Sequence, residues 1–383
     1  MTLDAYRDLF SLPDGLAYLD HAATGVLSRP AYEAAVRFLD GRAGRAPDRT
    51  PNDYPADLGR FDRARQRAAA LVGADVRNVE IVPNTTYGLD VLASGLDWRP
   101  GDRVAVPACE FPANLLPWRA LSDRGVEVDL VPHREGTFTP DDVERVLTPR
   151  TRLVAVSAVQ FLSGFRCSLE AISALCRSRG VLLAVDAIQA AGALRVDAEL
   201  ADLVAFGAQK WVCAMRGSGV VYVADALLER LRPTRGWLNG PLDWDDFEGA
   251  TLGLHDDATR FRVGTLPTAQ AYALDAALGL FLDVGPEAIE AAVLGHAARL
   301  ADGLERLGAR RYGTADPAHA SGIVTVAVDD PEGLHAHLEA RGVACSLRNR
   351  LVRFAPHAHT RPADVDRALE AVAQFGRTAV PAS

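Results

Sequence analysis

The sequence is almost without lysine. Of its 41 basic residues, Lys210 is the one lysine, and the other 40 are arginine. Arginine can replace lysine wherever only a solvated positive charge is needed, but its guanidinium stays protonated and cannot form an imine with an aldehyde. Lys210 lies between the apolar strand pattern LVAFGA and the segment WVCAMRGSG. The composition and these flanks favour amine chemistry at Lys210 over a surface lysine retained by chance.

Other features are also scarce, and each absence argues against a class of protein. The five cysteines are odd in number and include no CxxC pair, which argues against a disulfide framework or a zinc site and favours the cytoplasm. The net charge of −9 provides no basic field for nucleic acid. No apolar run is long enough to cross a bilayer, and the first residues, MTLDAYRDLF, lack a signal-peptide core. We therefore expect a cytoplasmic protein that acts on a small molecule, without a metal, nucleic-acid or membrane partner.

The order of predicted elements indicates an α/β fold. A chain of 383 residues is long enough for two packed cores. From about Phe61 to Asp225, apolar strands such as RLVAVSAV and VLLAVDAIQ alternate with helical segments, which predicts a mostly parallel sheet covered on both faces. The later part predicts a long helix near 286–308 and the strands GIVTVAV, VACSLR and LVRFAP, which are typical of a second, α+β domain.

One acidic residue falls late in an otherwise apolar strand. Asp186 lies in VLLAVDAIQ, where a carboxylate is costly unless it is paired. Ligands of open α/β sheets gather at the carboxyl ends of strands. Asp186 precedes Lys210 by 24 residues, about one strand–loop–strand excursion. A helix cap or a salt bridge would explain it; the functional interpretation is a partner for the nitrogen of a pyridine ring, which it keeps protonated and able to accept electrons.

The segments around these two residues resemble those of class V aminotransferases, which are fold-type I enzymes that use pyridoxal 5′-phosphate. VDAIQAAG is similar to the V-D-x-x-Q stretch of that family, and FGAQKWVCAMRGSGVVYV is similar to its lysine segment. The resemblance extends from YLDHAATG, near residue 18, to the C-terminal helix. It implies an N-terminal arm over 1–20 that packs with the small domain, a large cofactor domain over 21–255 with a mostly parallel seven-stranded sheet, and a small α+β domain over 256–383.

The resemblance also implies which residues hold the cofactor ring. Lys210 would bond to the aldehyde carbon, and Asp186 would contact the ring nitrogen. Phe111, in CEFPANLLPW, matches the residue that stacks on the ring, which is histidine in cysteine desulfurases; an ordinary core aromatic is the alternative. Gln189 matches the residue that hydrogen-bonds the 3′-oxygen, with a surface glutamine as the alternative.

The phosphate is expected at the start of the helix in VPNTTYGLDV. Free backbone N–H groups and hydroxyls there suit an anion, although a plain helix cap is the alternative; the three candidates are Asn84, Thr85 and Thr86. Gln209 replaces a histidine of the family and is expected to reach the phosphate. Thr265, in RVGTLPTAQ, resembles the threonine that reaches the phosphate of a neighbouring subunit, which implies a homodimer with shared sites; a helix cap is the alternative. Two residues before the glycine of that segment, Arg262 stands where the family usually has glutamate.

Substrate contacts are implied in the arm and in the C-terminal strands. Arg353 matches the arginine that grips the substrate carboxylate, and strand alternation places it on an apolar face, which argues against a surface role. Thr24 and His21, in LDHAATG, fall in the arm that usually lines the substrate pocket, although a structural histidine is an equal alternative. Gln160 is expected to face the same site.

The implied reaction begins with removal of the α-proton of an amino acid by Lys210. We expect an aminotransferase, with C–S β-lyase and epimerase as alternatives and a non-catalytic cofactor-binding protein as an alternative of another class. Cysteine desulfurase is less expected, because Phe111 replaces histidine and Cys345 lies in a predicted strand. A dehydrogenase or kinase is disfavoured, since neither G-x-G-x-x-G nor a P-loop is present. Trp237 and Trp244 suggest either a loop over the pocket or simple packing.

Overall fold

A computed structural model describes residues 1–46, 54–243, 245–246, 248–249, 253–265 and 267–378. The strands in these ranges are β1 (Ala17–Tyr18), β2 (Val79–Val82), β3 (Arg103–Pro107), β4 (Glu127–Val131), β5 (Thr151–Ser157), β6 (Leu182–Asp186), β7 (Leu203–Gly207), β8 (Gly219–Val223), β9 (Arg310–Arg311), β10 (Val324–Ala327), β11 (Val343–Ala344), β12 (Ser346–Arg348) and β13 (Leu351–Phe354). The α-helices are α1 (Leu3–Arg7), α2 (Arg29–Arg42), α3 (Tyr54–Val72), α4 (Thr85–Gly95), α5 (Leu116–Ala120), α6 (Pro140–Val146), α7 (Leu169–Arg179), α8 (Asp225–Leu228), α9 (Thr268–Val284), α10 (Pro286–Arg306), α11 (Pro331–Glu339) and α12 (Pro362–Thr378).

Seven strands form a central sheet in the order β2-β8-β7-β6-β5-β3-β4. Strand β8 is antiparallel to both of its neighbours, and the other adjacent pairs are parallel. Every residue of β7 and β8 is buried, as expected for continuous apolar runs inside a sheet covered on both faces. This sheet confirms the predicted α/β fold.

The topology brings the ends of β6 and β7 to the same edge of the sheet. The two strands are adjacent and parallel, so Asp186, which ends β6, lies on the same edge as Gly207, which ends β7. Helix α4 begins there as well, since the Thr85 hydroxyl accepts the Gly207 N–H at 2.8 Å. A Cβ added to Gly88 of α4 would lie 2.7 Å from the Cβ of Ala205, so only glycine lets the helix approach β7 this closely.

The C-terminal part forms an antiparallel sheet in the order β12-β13-β10-β9. Strand β1 pairs in parallel with β11, and Asp20 bridges Ala355, which attaches the predicted arm to this part of the chain. The packing of helix α9 differs from what the predicted domain boundary implies. The boundary at 256 assigns it to the small domain, whereas it packs against α2 and α3 of the large body.

A buried ion pair joins the edge strand β2 to the segment before α9. Glu80 is fully buried, and its Oε2 lies 3.1 Å from Nη2 of Arg262 and 3.5 Å from Nε of Arg65. Burial raises the pKa of Glu80, and the two guanidinium groups oppose that rise. Arg262, which departs from the family pattern, therefore neutralises an acid of its own chain.

Replacing Arg262 with methionine is expected to destabilise the fold by about 3–5 kcal/mol, because Glu80 would lose its nearest partner while it stays buried. The free energy of unfolding in urea measures this loss. The double variant Glu80→Gln/Arg262→Met removes both charges and should recover much of the stability. If the free energy of unfolding of the single variant lies within about 1 kcal/mol of wild type, the pair stabilises the fold no more than an exposed ion pair does.

Candidate active site

Lys210 lies in the turn that follows β7, close to the end of β6. Its Nζ forms no hydrogen bond or ion pair with any described residue and lies 5.8 Å from the centroid of the Phe111 ring. Asp186 is only 1% exposed, and its Oδ1 accepts the N–H of Ile188 at 2.9 Å. No hydrogen bond from the described residues reaches its Oδ2. The edge of the sheet thus presents an amine and a carboxylate oxygen that are both available to a ligand.

Burial moves the pKa values of these two groups towards each other. It lowers the pKa of Lys210 to about 8, and the Asp186 carboxylate opposes this shift while Arg353 adds to it. It raises the pKa of Asp186 to about 6, against the opposing effects of the Ile188 N–H and of Lys210. The amine is therefore a stronger candidate for nucleophile and base near neutral pH than an ordinary lysine.

The segment that carries Phe111 also contributes an acid that the sequence analysis missed. Phe111 is 46% exposed, which excludes an ordinary core aromatic. Glu110 is buried, and its carboxylate accepts the Ser157 N–H and the Gln160 amide N–H, each at 2.7 Å, and the Ser157 hydroxyl. Burial, opposed by these hydrogen bonds, raises the pKa of Glu110 to about 7. The available signal was an acid close to the end of an apolar strand, since Glu110 lies three residues beyond the end of β3 at Pro107 and Asp186 ends β6.

The start of α4 contains the three predicted phosphate residues in different environments. Asn84 is the helix cap, since its side chain accepts the Tyr87 N–H at 2.9 Å. Thr85 is buried against Gly207, whereas Thr86 is exposed in the first turn. The backbone N–H groups of Thr85 and Thr86 donate to no described residue, so the helix start suits an anion. Gln209 is half-buried in the turn just before Lys210.

Gln189 connects the lysine turn to the arm. Its Oε1 accepts the Trp211 indole N–H at 2.8 Å, and its Nε2 donates to the carbonyl of Ala22 at 3.1 Å. The side chain is 2% exposed, which excludes a surface glutamine. The second N–H of the amide is left for a ligand, and its contact with the 3′-oxygen stays a prediction.

Arg353 is buried beside the arm and the end of β5. Its Nη1 donates to the carbonyl of Phe161 at 2.7 Å, and its Nη2 donates to the Ser346 hydroxyl at 3.3 Å. The same Nη2 lies 3.5 Å from Oδ1 of Asp20, which also accepts the Ser346 hydroxyl. Burial lowers the pKa of Arg353, and Asp20 opposes that shift. The surface alternative is excluded, and the contact of Arg353 with a substrate carboxylate stays a prediction.

His21 does not line an open pocket, so the structural alternative holds. The ring is fully buried, with Nδ1 donating to the Ala355 carbonyl at 3.0 Å and Nε2 at 3.0 Å from Nε2 of His359. With Cys213 these side chains form a group whose ligand atoms lie within 4.8 Å of one another, a spacing open to a metal ion. Because Nδ1 of His21 donates, its Nε2 can accept the His359 N–H, which leaves Nδ1 of His359 buried without a hydrogen bond to any described residue. Burial holds the pKa of both histidines well below its usual value.

The arm nevertheless reaches the lysine turn through the residues after His21. The Gly25 N–H donates to the Gln209 carbonyl at 2.7 Å, and a Cβ on Gly25 would lie 1.9 Å from the Lys210 carbonyl oxygen. This approach requires glycine. The Thr24 hydroxyl accepts from Arg216 at 2.9 Å, next to this contact.

Thr265 is exposed and forms no hydrogen bond within the part of the chain that the structure describes. Trp237 lies beside this segment, since a Cβ on Gly264 would be 3.2 Å from its Nε1. The ring of Trp237 is 46% exposed, so it packs only partly. Trp244 lies outside the described residues.

Comparison with known proteins identifies the relatives of this chain. Residues 17–347 match the sequence pattern of the family Aminotransferase class-V. The chain belongs to this family. A probable cysteine desulfurase of Methanothermobacter thermautotrophicus is 28% identical, over 90% of this chain and 86% of that protein. The uncharacterized aminotransferase YcbU of Bacillus subtilis is 26% identical, over 97% of each chain. The solved complex of the cystine C–S lyase C-DES with its reaction product cysteine persulfide is 26% identical, with a TM-score of 0.86 over 94% of this chain and 98% of that one.

Membership of the class-V family confirms the expected cofactor, pyridoxal 5′-phosphate, and the fold-type I architecture. The residues present fit the cofactor. Within the described ranges, Lys210 forms no hydrogen bond or ion pair and one oxygen of Asp186 accepts no hydrogen bond, and the half-exposed Phe111 ring lies beside the amine. Among the described residues, none of the helices combines the length and the apolar composition needed to span a membrane.

The rate at which the cofactor-free protein binds pyridoxal phosphate covalently is expected to rise with pH to a midpoint near 8. Only the neutral amine attacks an aldehyde, and burial lowers the pKa of Lys210 from 10.5 to about 8. Stopped-flow absorbance measures this rate. Asp186→Asn removes the carboxylate that holds the lysine pKa up, so the midpoint should move to lower pH. A midpoint near 10, or one that this variant raises, would contradict the assigned environment.

Proposed function

We propose that this chain is a pyridoxal-phosphate-dependent C–S β-lyase, which converts a cysteine-derived amino acid into a sulfur product, pyruvate and ammonia. The observation that carries the proposal is the pair of side chains, Lys210 and Phe111, at the expected face of the cofactor ring. The amine of Lys210 has no hydrogen-bond or ion-pair partner in the part of the chain that the structure describes, and the aromatic beside it, Phe111, cannot transfer a proton. The similarity to C-DES, a cystine C–S lyase, supports the same reaction class.

The cysteines favour a lyase over a desulfurase that carries sulfur on its own thiol. All five are free, and four of them are buried. Cys345 is buried just before β12, and burial raises its pKa to about 12. Cys109 is half-buried, and burial likewise raises its pKa to about 12. A thiolate poised to accept sulfur is therefore missing from the β12–β13 hairpin.

The residues divide the work of elimination among them. Arg353 binds the α-carboxylate of the substrate as a planar, two-pronged donor. With the cofactor bound, Asp186 would pair with the pyridine nitrogen, Phe111 would stack on the ring, and the start of α4 would hold the phosphate. When bound, the cofactor supplies an electron sink for the pair released at the α-carbon. Lys210 removes the α-proton, and the sulfur leaves Cβ with the electrons of the C–S bond.

The sequence analysis expected transamination, but elimination suits this site better. A thiolate is a good leaving group and departs without a proton donor, because its own pKa is near 8.5. Transamination would require Lys210 to return the proton to a second carbon instead. The Bacillus relative carries an aminotransferase name, so the transfer reaction stays the second candidate.

We also propose that the active form is a homodimer in which Thr265 of each chain completes the phosphate site of the other. Thr265 is exposed and unbonded within the described part of its own chain. The exposed apolar side chains of Leu116 and Trp237 suit a subunit interface. A monomeric mass by light scattering, or unchanged cofactor affinity in Thr265→Ala, would contradict this arrangement.

Products formed by the holoenzyme distinguish the three reactions. With L-cystine or S-methyl-L-cysteine, we expect pyruvate and ammonia in equal amounts to the sulfur product, without build-up of pyridoxamine phosphate. L-cysteine is the substrate that tests the desulfurase, since its free thiol can pass sulfur to an enzyme thiolate, and alanine in place of pyruvate from it would indicate that reaction. An α-keto acid that retains its sulfur, with pyridoxamine phosphate, would indicate an aminotransferase.

Two variants test the assigned roles in the same assay. Lys210→Arg retains the positive charge but has no usable amine, and we expect it to lose activity at least about 10³-fold. Cys345→Ala should form pyruvate at the wild-type rate, since the lyase uses no thiol of its own. Loss of sulfur release in Cys345→Ala with an intact fold would favour the desulfurase.

A further inference from the structure

A cavity of about 210 Å³ lies beside the site, and the proposed reaction does not yet use it. Its lining includes Gln160, Phe161, His133, Tyr312 and Asn349. Two larger cavities, of about 550 and 570 Å³, are lined by none of the predicted site residues. The smaller cavity is therefore distinguished by its position next to the site.

One wall of this cavity is also a wall of the active site. The ring of Phe161 packs edge-on against Phe111, with 5.3 Å between centroids, and Phe111 in turn lies beside Lys210. The carbonyl of Phe161 accepts from Arg353 at 2.7 Å. A substrate with its α-carboxylate on Arg353 and its α-carbon near Lys210 would therefore have its side chain close to Phe161, which also lines the cavity.

An acceptor on this wall lacks a donor. Gln160 is 1% exposed, and its Nε2 donates to Glu110 at 2.7 Å. That bond fixes the orientation of the amide, and its Oε1 is buried without a hydrogen bond in the structure. Buried polar atoms are rarely left unpaired in native proteins. A ligand with a hydrogen-bond donor would satisfy it.

Other residues of the cavity lining supply donors. The Tyr312 hydroxyl forms no hydrogen bond with any described residue. Nδ1 of His133 accepts the Gly136 N–H at 3.1 Å, so the neutral ring carries its proton on Nε2. The cavity can therefore bind a group that both donates and accepts.

The charges around the cavity disfavour an anion. Its described lining includes no arginine and no lysine, and its one acid, Glu110, is already held by Ser157 and Gln160. A carboxylate placed there would be desolvated without a cation and next to an acid. A neutral polar group would avoid both the desolvation cost and the repulsion from Glu110.

We propose that this cavity binds the sulfur substituent of the substrate and selects one that ends in a neutral group with both a hydrogen-bond donor and an acceptor, such as a carboxamide. This inference rests on the proposed lyase function, because it assigns the leaving group of that reaction. Gln160 accepts from the substituent, and Tyr312 donates to it.

Three cysteine derivatives of similar size test the selection. S-Carbamoylmethyl-L-cysteine carries an amide, S-carboxymethyl-L-cysteine carries an isosteric anion, and S-propyl-L-cysteine is apolar. We expect kcat/KM of the holoenzyme, measured as pyruvate release, to be at least about tenfold higher for the amide than for either of the others. Equal values for the three would overturn the proposal while pyruvate release itself upheld the lyase.

Variants locate the selection in the cavity. Gln160→Leu and Tyr312→Phe should each reduce the preference for the amide over the propyl compound about tenfold, and Tyr312→Phe leaves the hydrogen bonds of Glu110 intact. Gln66→Leu makes the same change at an exposed position of α3 and should keep the preference. A preference that survives both cavity variants would place the selection elsewhere.

A binding measurement decides the proposal even if no derivative is cleaved. The Lys210→Ala protein loaded with pyridoxal phosphate cannot remove the α-proton through residue 210, and calorimetry then gives the Kd of each derivative. Affinity about tenfold higher for the amide would support the cavity assignment, although absence of pyruvate with wild type would end the lyase proposal. Equal Kd values would overturn the cavity assignment.

Discussion

The burial of one acid and one amine at the same edge of the sheet is the constraint on which this structure depends. Desolvation disfavours both charged forms, so it raises the pKa of Asp186 to about 6 and lowers that of Lys210 to about 8. The packing around the pair maintains this environment. Gly25 brings the arm against the lysine turn, and Gly88 brings α4 against β7. Desolvation, with a smaller contribution from the positive charge of Arg353, makes the amine reactive near neutral pH.

A hydrogen-bond network around Glu110 extends this environment to the substrate side. Glu110 joins the Phe111 segment to Ser157, which is the register partner of Asp186 in the sheet, and to Gln160. Phe111, Asp186 and the wall of the side cavity thus share one rigid support. A buried network in which nearly every group is bonded holds its side chains in fixed positions. The unpaired Oε1 of Gln160 is therefore a stronger indication of a ligand than an unpaired atom at the surface would be.

The sequence was most informative where the chemistry of a residue is local. Lys210 and Asp186 could be identified because each follows or ends an apolar strand and because no arginine could replace the amine. Glu110 shows the limit, since its partners Ser157 and Gln160 lie 47 and 50 residues further along the chain. The orientation of the His21 ring depends on its contact with His359, which lies 338 residues further along the chain, and no local sequence pattern predicts such a contact. The packing of α9 was missed for the same physical reason, because an apolar helix does not specify which neighbour buries it.

The reaction class follows from what stands near the amine as much as from the amine itself. In the proposed reaction Lys210 accepts the proton of the α-carbon, because Phe111 has no proton to exchange and Cys345 is buried in an apolar strand region. The Glu110 carboxylate is already held by Ser157 and Gln160, and burial raises the pKa of the Cys109 thiol, so neither is an obvious acid or nucleophile for this reaction. A leaving group that carries its own charge away needs neither, and sulfur is the substituent of an amino acid that does so most readily. The buried environment that lowers the pKa of Lys210 therefore also limits which bonds of a substrate this site can break.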